Sequence, residues 1–370
     1  MKIVCQKNEL LNHVNIVLKA VPAKTTMPIL ECLIIEVKSD YIKLISNDME
    51  LGIETLVKGN ILEEGTVAIN AKVFSEIVRK LPDNDVTIDT DSNYVTTIIS
   101  EKAKFTISGR STDEFPFLPK IEKSNAVILS QFTLKEVIRQ TVFSISDNES
   151  NKIMTGELFE IKGNEFKVVS LDGHRISIRK IMLSNEYDDI KVIVPGKTLI
   201  EVSKILSGEF SDEVSLFFTD KHIIFEFDDT VVLSRLIEGE YYRINQMLSS
   251  DYETKVTINK KELLSCIDRA TLLVKETEKK PIIINIDDNK IELKINSTIG
   301  SMNEEIDITK EGKDIMIGFN PRFLIDALRV IDDEEVDIYL INPKAPCFIR
   351  DKEESYIYLI LPVNFNSAVQ

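Results

Sequence analysis

Few residues in this 370-residue chain stand at spacings that could do covalent chemistry. Gly196-Lys197-Thr198 reads like the end of a phosphate-binding loop, in which glycine-rich backbone cradles phosphate while the lysine and hydroxyl reach the terminal phosphate and its metal. Such a loop needs a glycine five positions before Gly196, and Lys191 stands there, so the match to an ATP-using enzyme fails. His13, His174 and His222 are the only histidines, and none lies in a metal or nucleophile motif. Cys5, Cys32, Cys266 and Cys347 are scattered, with no CxxC pair and no histidine at ligand spacing, and read as small core residues in a reducing compartment. No catalytic residue, no metal site and no cofactor is expected.

Asp172-Gly173-His174-Arg175 is the sharpest local motif. Asp-Gly favours a tight turn, which would hold His174 and Arg175 at the mouth of a loop after a strand at 166–171. With no second acid or base fixed nearby, it is a recognition loop or a plain structural turn, not a catalytic one. The other chemistry is electrostatic. Lys72 and Arg79, Lys197 and Lys204, and Arg322 and Arg329 are each seven residues apart, which sets both members of a pair on one helical face. Glu76, Glu201 and Asp326 lie inside these pairs. In one helix alone, ordinary intrahelical ion pairs worth roughly 0.2–0.5 kcal/mol account for the pattern.

The elements carrying these pairs recur. Segments 67–81, 192–206 and 317–331 align without gaps, and the step from Asn70 to Pro195 and from Pro195 to Asn320 is 125 residues in both cases. Each segment is a short apolar strand, a turn with Asn, Pro or Gly, then apolar residues at helical spacing, as in Phe74, Ile77, Val78 and Leu81. Glu9-Leu10-Leu11, Glu136-Val137-Ile138 and Glu262-Leu263-Leu264 mark a second helix in each copy, just inside its start. Alternating runs such as 86–89, 105–108, 336–340 and 356–360 follow as sheet strands. The fold class is therefore α+β: three tandem copies of one domain, each with two strand-helix-strands halves, at 1–124, 125–251 and 252–370. Short linkers fall near 122–125 and 249–253. The Asp172 to Arg175 loop is not shared between the copies, so capture of a partner is expected at one joint.

Charge divides the same way. Lys+Arg 45 against Asp+Glu 61 gives a net charge of -16, which taken alone argues against a nucleic-acid partner. Inside the aligned helices the balance reverses: Lys72, Arg79, Lys80, Lys197, Lys204, Arg322 and Arg329 face only Glu76, Glu201 and Asp326. Equivalent positions of a repeat share a surface, so the segregated charge suits sequence-independent, salt-sensitive contact with a phosphate backbone. A purely structural scaffold that binds only proteins is the rival reading. No apolar run approaches the roughly 18 residues that span a bilayer, and the start of the chain alternates like a strand instead of a signal peptide. A cytoplasmic protein with no membrane partner is expected.

Taken together, Thr26-Met27-Pro28-Ile29-Leu30, Asn47-Asp48-Met49-Glu50, Asp113-Glu114-Phe115-Pro116, Thr155-Gly156, Asp172-Gly173-His174-Arg175, Val194-Pro195-Gly196-Lys197, Gly318-Phe319-Asn320 and Leu361-Pro362-Val363 carry a resemblance. The chain resembles the family of the β subunit of bacterial DNA polymerase III, the replicative sliding clamp, over essentially its whole length. The resemblance implies DNA-clamp domains in a head-to-tail homodimeric ring, helices lining the hole and sheets outside, acting as a non-catalytic processivity factor. The implied partners are double-stranded DNA, a second copy, the polymerase III α subunit, a separate ATP-driven clamp loader, and other polymerases and repair proteins that insert a short hydrophobic segment. The basic pairs would meet DNA, with Lys24 matching a further basic contact position of the family.

By the same resemblance, a peptide pocket would be walled by Met154, Leu171, Gly173, His174, Arg175, Ile176, Met247, Phe323, Leu359, Leu361, Pro362 and Val363. Apolar walls with a few polar anchors are how a short linear motif is captured, although sequence alone favours plain strand core for Leu359, Leu361 and Val363. Phe105, Leu272 and Leu273 match apolar positions of the dimer joint. Three departures stand out. Asn151, Lys152 and Ile153 occupy places where the family can carry aromatic and basic residues, which argues against DNA contact there; Tyr242 stands for its proline and Asn364 for its basic carboxy-terminal position, so peptide preference should differ.

Overall fold

A computed structural model describes residues 1–274 and 280–365. Among them are six α-helices: α1 (Lys7–Val17), α2 (Ala71–Lys80), α3 (Gln131–Arg139), α4 (Gly196–Ile205), α5 (Lys260–Thr271) and α6 (Pro321–Val330). Each follows directly on a strand, α6 after the single residue Asn320, and the switch from strand to helix has a local cause. The side chains of Asn70, Asn259 and Asn320 accept from the amides of Val73 (3.0 Å), Glu262 (3.1 Å) and Arg322 (3.1 Å), satisfying donors that a helix start leaves orphaned. The Ser130 hydroxyl does the same for Thr133 (3.0 Å) at α3. One apolar stripe of each helix then faces inward, Phe74 and Val78 on α2 and Leu324 and Leu328 on α6, all buried. One expectation is corrected here. Glu9 and Glu262 are each the third residue of their helix, but α3 begins at Gln131, which puts Glu136 in mid-helix.

The chain forms two compact units, residues 1–134 with 201–236, and residues 135–200 with 237–370. In the first, a five-stranded sheet contains the strand Lys2–Gln6, and an eight-stranded sheet joins strands from either end of the unit. The seam of that second sheet is the antiparallel pair Leu51–Val57 and Thr230–Arg235, with Leu51 opposite Ser234. The second unit repeats the plan with a seven-stranded and a four-stranded sheet. Its seam pairs the long strand Arg175–Pro195 with Tyr356–Ile360, Arg175 opposite Ile360. A linker is fixed within this unit: the Arg350 guanidinium donates to the carbonyls of Ser249 (3.4 Å) and Ser250 (3.2 Å) and lies 4.6 Å from the Tyr339 ring centroid.

All four cysteines are buried and free, and burial pushes the thiols of Cys5, Cys266 and Cys347 up to about 12, so none is a ready nucleophile. Among the described residues, no helix is long and apolar enough to cross a membrane.

Glu157 is the outlier of the core. It is fully buried on the strand Gly156–Leu171, opposite Val194, and burial pushes its carboxyl up to about 8, offset only in part by the Thr141 hydroxyl. At pH 7 the folded chain must hold a proton there that the unfolded chain releases. The stability the protonated group contributes is complete below pH 4.5 and lost as pH climbs toward 8. Glu157→Gln should therefore stabilise the protein at pH 7 by roughly 3 kcal/mol and make little difference near pH 4. Denaturant unfolding at both pH values checks this; an unchanged or lowered midpoint at pH 7 contradicts it.

Candidate functional site

The Asp172–Arg175 turn joins two strands at the seam of the second unit. Gly173 sits at φ +88°, a conformation that costs an L side chain about 1 kcal/mol or more, and the Asp172 carboxylate accepts from the amides of His174 (2.9 Å) and Arg175 (3.1 Å). The motif is thus a built turn, as the Asp-Gly pair suggested. Arg175, however, does not point outward as a recognition side chain. Its guanidinium is largely buried and tied through all three nitrogens: Nε donates to Asp172 (3.0 Å), one terminal nitrogen to Asp326 on α6 (2.6 Å) and the other to the Phe143 carbonyl (2.5 Å), with its central carbon 4.5 Å from the Phe323 ring centroid. Sequence reasoning did not see Asp326 or Phe143 in this role, because each meets Arg175 only through the fold.

Beside this hub, Leu171, Ile176 and Leu359 form part of one buried cluster with Leu158, Ile178, Tyr241 and Ile244, and Met154 packs against it half-buried. These four candidate pocket residues are therefore brought together. Leu359 is strand core in Tyr356–Ile360, but the strand stops at Ile360. Leu361 is 38% exposed and Met247 53% exposed, and Pro362 and Val363 are half-buried. The Leu361 amide donates to the His174 carbonyl (2.8 Å), and Val363 to that of Gly318 (2.8 Å), which holds the segment 361–363 beside the turn. His174 is exposed, its ring 6.2 Å from that of Phe323. The arrangement is an apolar floor with thioether, imidazole and backbone groups around it, suited to apolar side chains of a peptide.

The expectation that this loop belongs to one copy is corrected in its geometry. Asp48 in the first unit accepts from Glu50 (3.0 Å) and Leu51 (2.7 Å), Met49 lies at φ +79°, and Arg235 donates its amide to the Glu50 carbonyl (2.9 Å) as Leu361 does to His174. Side-chain chemistry differs where backbone does not: Asn47, Glu50 and Arg235 stand where the second unit has Leu171, His174 and Leu361.

On the helices, Lys72, Arg79, Lys197, Lys204, Arg322 and Arg329 are all exposed, as is Lys24. Arg79 pairs with Glu76 (2.6 Å) and Lys204 with Glu201 (2.7 Å), as the local reading expected. The third helix departs from it: Asp326 is committed to Arg175, and Arg329 reaches Asp268 on α5 (3.3 Å). Phe105, at 41%, and Leu272, at 78%, are too exposed for core residues, whereas Leu273 packs against the core of the third copy. Phe105 lies on the outer strand Ala103–Ser108 of its sheet.

Family models for the DNA polymerase III beta subunit match in succession: the N-terminal domain over residues 1–119, the central domain over 128–242 and the C-terminal domain over 245–364. The chain belongs to this family. A beta sliding clamp of Staphylococcus aureus is 33% identical, with 98% of this chain and 99% of the relative covered. A solved chain from Eubacterium rectale is 66% identical with a TM-score of 0.96, covering 99% of this chain and all (100%) of its own length. The DnaN sliding clamp of Pseudomonas aeruginosa, solved bound to griselimycin, is 22% identical with a TM-score of 0.92 over 99% of this chain and 100% of that one, a likeness of fold alone.

Within the family, the departures of this chain are legible in contacts. The Asn151 side-chain amide donates to the Tyr242 hydroxyl (2.6 Å), a bond across 91 residues that no local pattern announces. The tail after residue 365 lies outside the described residues. Because Arg175 joins the turn, α6 and the Phe143 carbonyl, Arg175→Ala should cost roughly 3 kcal/mol, leaving carboxylates without their cation. Arg175→Lys should recover less than half of it, since an ammonium cannot reproduce the fork. Urea unfolding of the two variants tests both statements; a loss below ~1 kcal/mol for the alanine variant contradicts the hub.

Proposed function

We propose that the chain is the sliding clamp and processivity factor of a bacterial replicative DNA polymerase. Two copies join head to tail as a ring around duplex DNA, with helices toward the hole and sheets outside. The observation that carries this reading is the recurrence, in a chain of three consecutive family domains, of one exposed basic pair on each of α2, α4 and α6. Lys24, Lys72, Arg79, Lys197, Lys204, Arg322 and Arg329 meet phosphate. Exposed cations whose carboxylate partners are worth under about 1 kcal/mol exchange them readily for phosphate oxygens. The acidic remainder repels DNA elsewhere, so a net charge of -16 and DNA binding are compatible.

Closure of the ring rests on unpaired sheet edges. The strand Ala103–Ser108 ends one sheet and Gly300–Asp307 another. Phe105 and Lys104 on the first, and Leu272, Leu273, Glu304 and Asp307 on or beside the second, supply apolar and charge complementarity for pairing between copies. The domains divide at 1–124, 125–251 and 252–370. The floor and rim around Leu171, Ile176 and Leu359 take the short hydrophobic segment of the polymerase α subunit, the clamp loader and repair proteins. The chain does no chemistry itself and works in the cytoplasm, while a separate ATP-driven loader opens the ring.

The protein should sediment as a dimer at micromolar concentration, stay on nicked circular DNA and run off once the circle is cut. A strictly monomeric mass with free loss from the intact circle would sink the ring. Replacing Lys72, Lys197 and Arg322 together by alanine should slow loading and lower the slope of log affinity against log salt by about 2 to 3. An unchanged slope removes those helices from the DNA surface. Shortening the chain before Leu361 should abolish polymerase binding and leave the dimer intact; undiminished binding removes the pocket.

A further inference from the structure

Two segments flank one side of the apolar floor in the second unit, and both are pinned by unusual contacts. In the first, the Met154 amide donates to the Asn151 carbonyl (3.0 Å) and that of Asn151 to the Asn148 carbonyl (3.2 Å), so Asn151 and Met154 share one tight turn. Ile153 of that turn packs on the floor cluster and also fills the space over Gly239, where a Cβ would lie 3.0 Å from its terminal methyl. The second segment runs from Gly239, at φ +137°, to Met247. Tyr241 is buried in the floor cluster and donates its hydroxyl to the Val169 carbonyl (3.1 Å), and Ile244 is buried beside it. Tyr242 therefore stands on a fixed base, 37% exposed, and its hydroxyl oxygen accepts the Asn151 amide (2.6 Å).

We infer that Tyr242 is a specificity-determining residue of the groove, with Asn151 as its positioning residue. This rests on the peptide-groove reading above and goes further, by saying what this chain adds to it. A proline at this place offers neither an aromatic ring nor a hydroxyl. Tyr242 adds an exposed aromatic ring beside the floor, next to buried Tyr241 and tied to the turn that carries Met154, an amphipathic surface with few rotamers to lose on binding. A phenol oxygen that accepts one hydrogen bond still carries its own proton to donate. The rim therefore offers a donor next to an apolar floor, and it favours hydrophobic peptides that carry an amide or carboxylate oxygen beside their apolar anchors. Asn151 holds the ring in that orientation, so removing either partner of the bond disables the same device.

The test measures binding of griselimycin, and competition against it by two leucine pentapeptides that differ only in their first residue, asparagine or leucine. The proteins are the full-length chain, Tyr242→Phe, Asn151→Ala, the double variant, and the chain ended before Leu361. Expected are a preference for the asparagine peptide in the parent, a loss of about 3- to 10-fold in that preference in each single variant, and no further loss in the double variant. Melting temperatures should stay unchanged. The inference is overturned if Tyr242→Phe keeps the preference, if the two single effects add, or if affinity falls only in step with thermal stability. Failure of the underlying reading looks different: griselimycin then binds the shortened chain as well as the intact one, or binds neither.

Discussion

Amide-to-carbonyl pairing at the two sheet seams is the constraint on which the rest of the structure depends. In each unit a strand from late in one copy lies antiparallel to a strand from the copy before it, and a residue at the end of that strand, beyond its last paired residue, still donates across the seam, Arg235 to Glu50 and Leu361 to His174. A strand has period two, so a slip of one residue at either seam would turn every buried side chain to the wrong face. Register at the seam therefore fixes where the turn, the floor and the chain end meet. It also explains why two turns with different side chains keep one backbone shape: the ladder specifies the carbonyl position, and an aspartate at the start of each turn supplies the acceptor that closes it.

Upon that frame the second seam builds a cation hub and the first does not. Arg175 satisfies two carboxylates and a carbonyl from three parts of the chain. Largely buried and hydrogen-bonded through each of its three nitrogens, it gives rigidity to a place where apolar side chains lie open to solvent. Leu51 occupies the matching place in the first unit, where polar residues have replaced much of the apolar wall. The difference between a place suited to a peptide and one that is not lies in side chains at a handful of positions, on nearly identical backbone.

The 125-residue period was legible because burial imposes the same spacing on each copy and asparagine or proline marks each strand-to-helix switch. Helices α2, α4 and α6 and their exposed basic pairs followed from it. The second turn was not legible, since Asp48-Met49-Glu50-Leu51 shares only its aspartate with Asp172-Gly173-His174-Arg175, and a methionine at φ +79° breaks the rule that would have flagged it. Nothing in the local sequence marks Glu157 as buried, and only the fold makes it a buried acid. Phe105 and Leu272 were indistinguishable in sequence from core residues until their exposure was seen. The Asn151–Tyr242 bond, like the ties of Arg175, depends on partners far apart in sequence.

The short ion pairs on the basic helices have a consequence for motion. Arg79 and Lys204 each have a carboxylate one helical turn away, Glu76 and Glu201, at which the cation can rest. On the proposed DNA-facing surface, either cation on leaving one phosphate would find a counter-charge before meeting the next, and the energy surface along the duplex would be smoothed. Under that reading, partial self-neutralisation would act as a lubricant, weakening grip at any one phosphate and lowering friction over many.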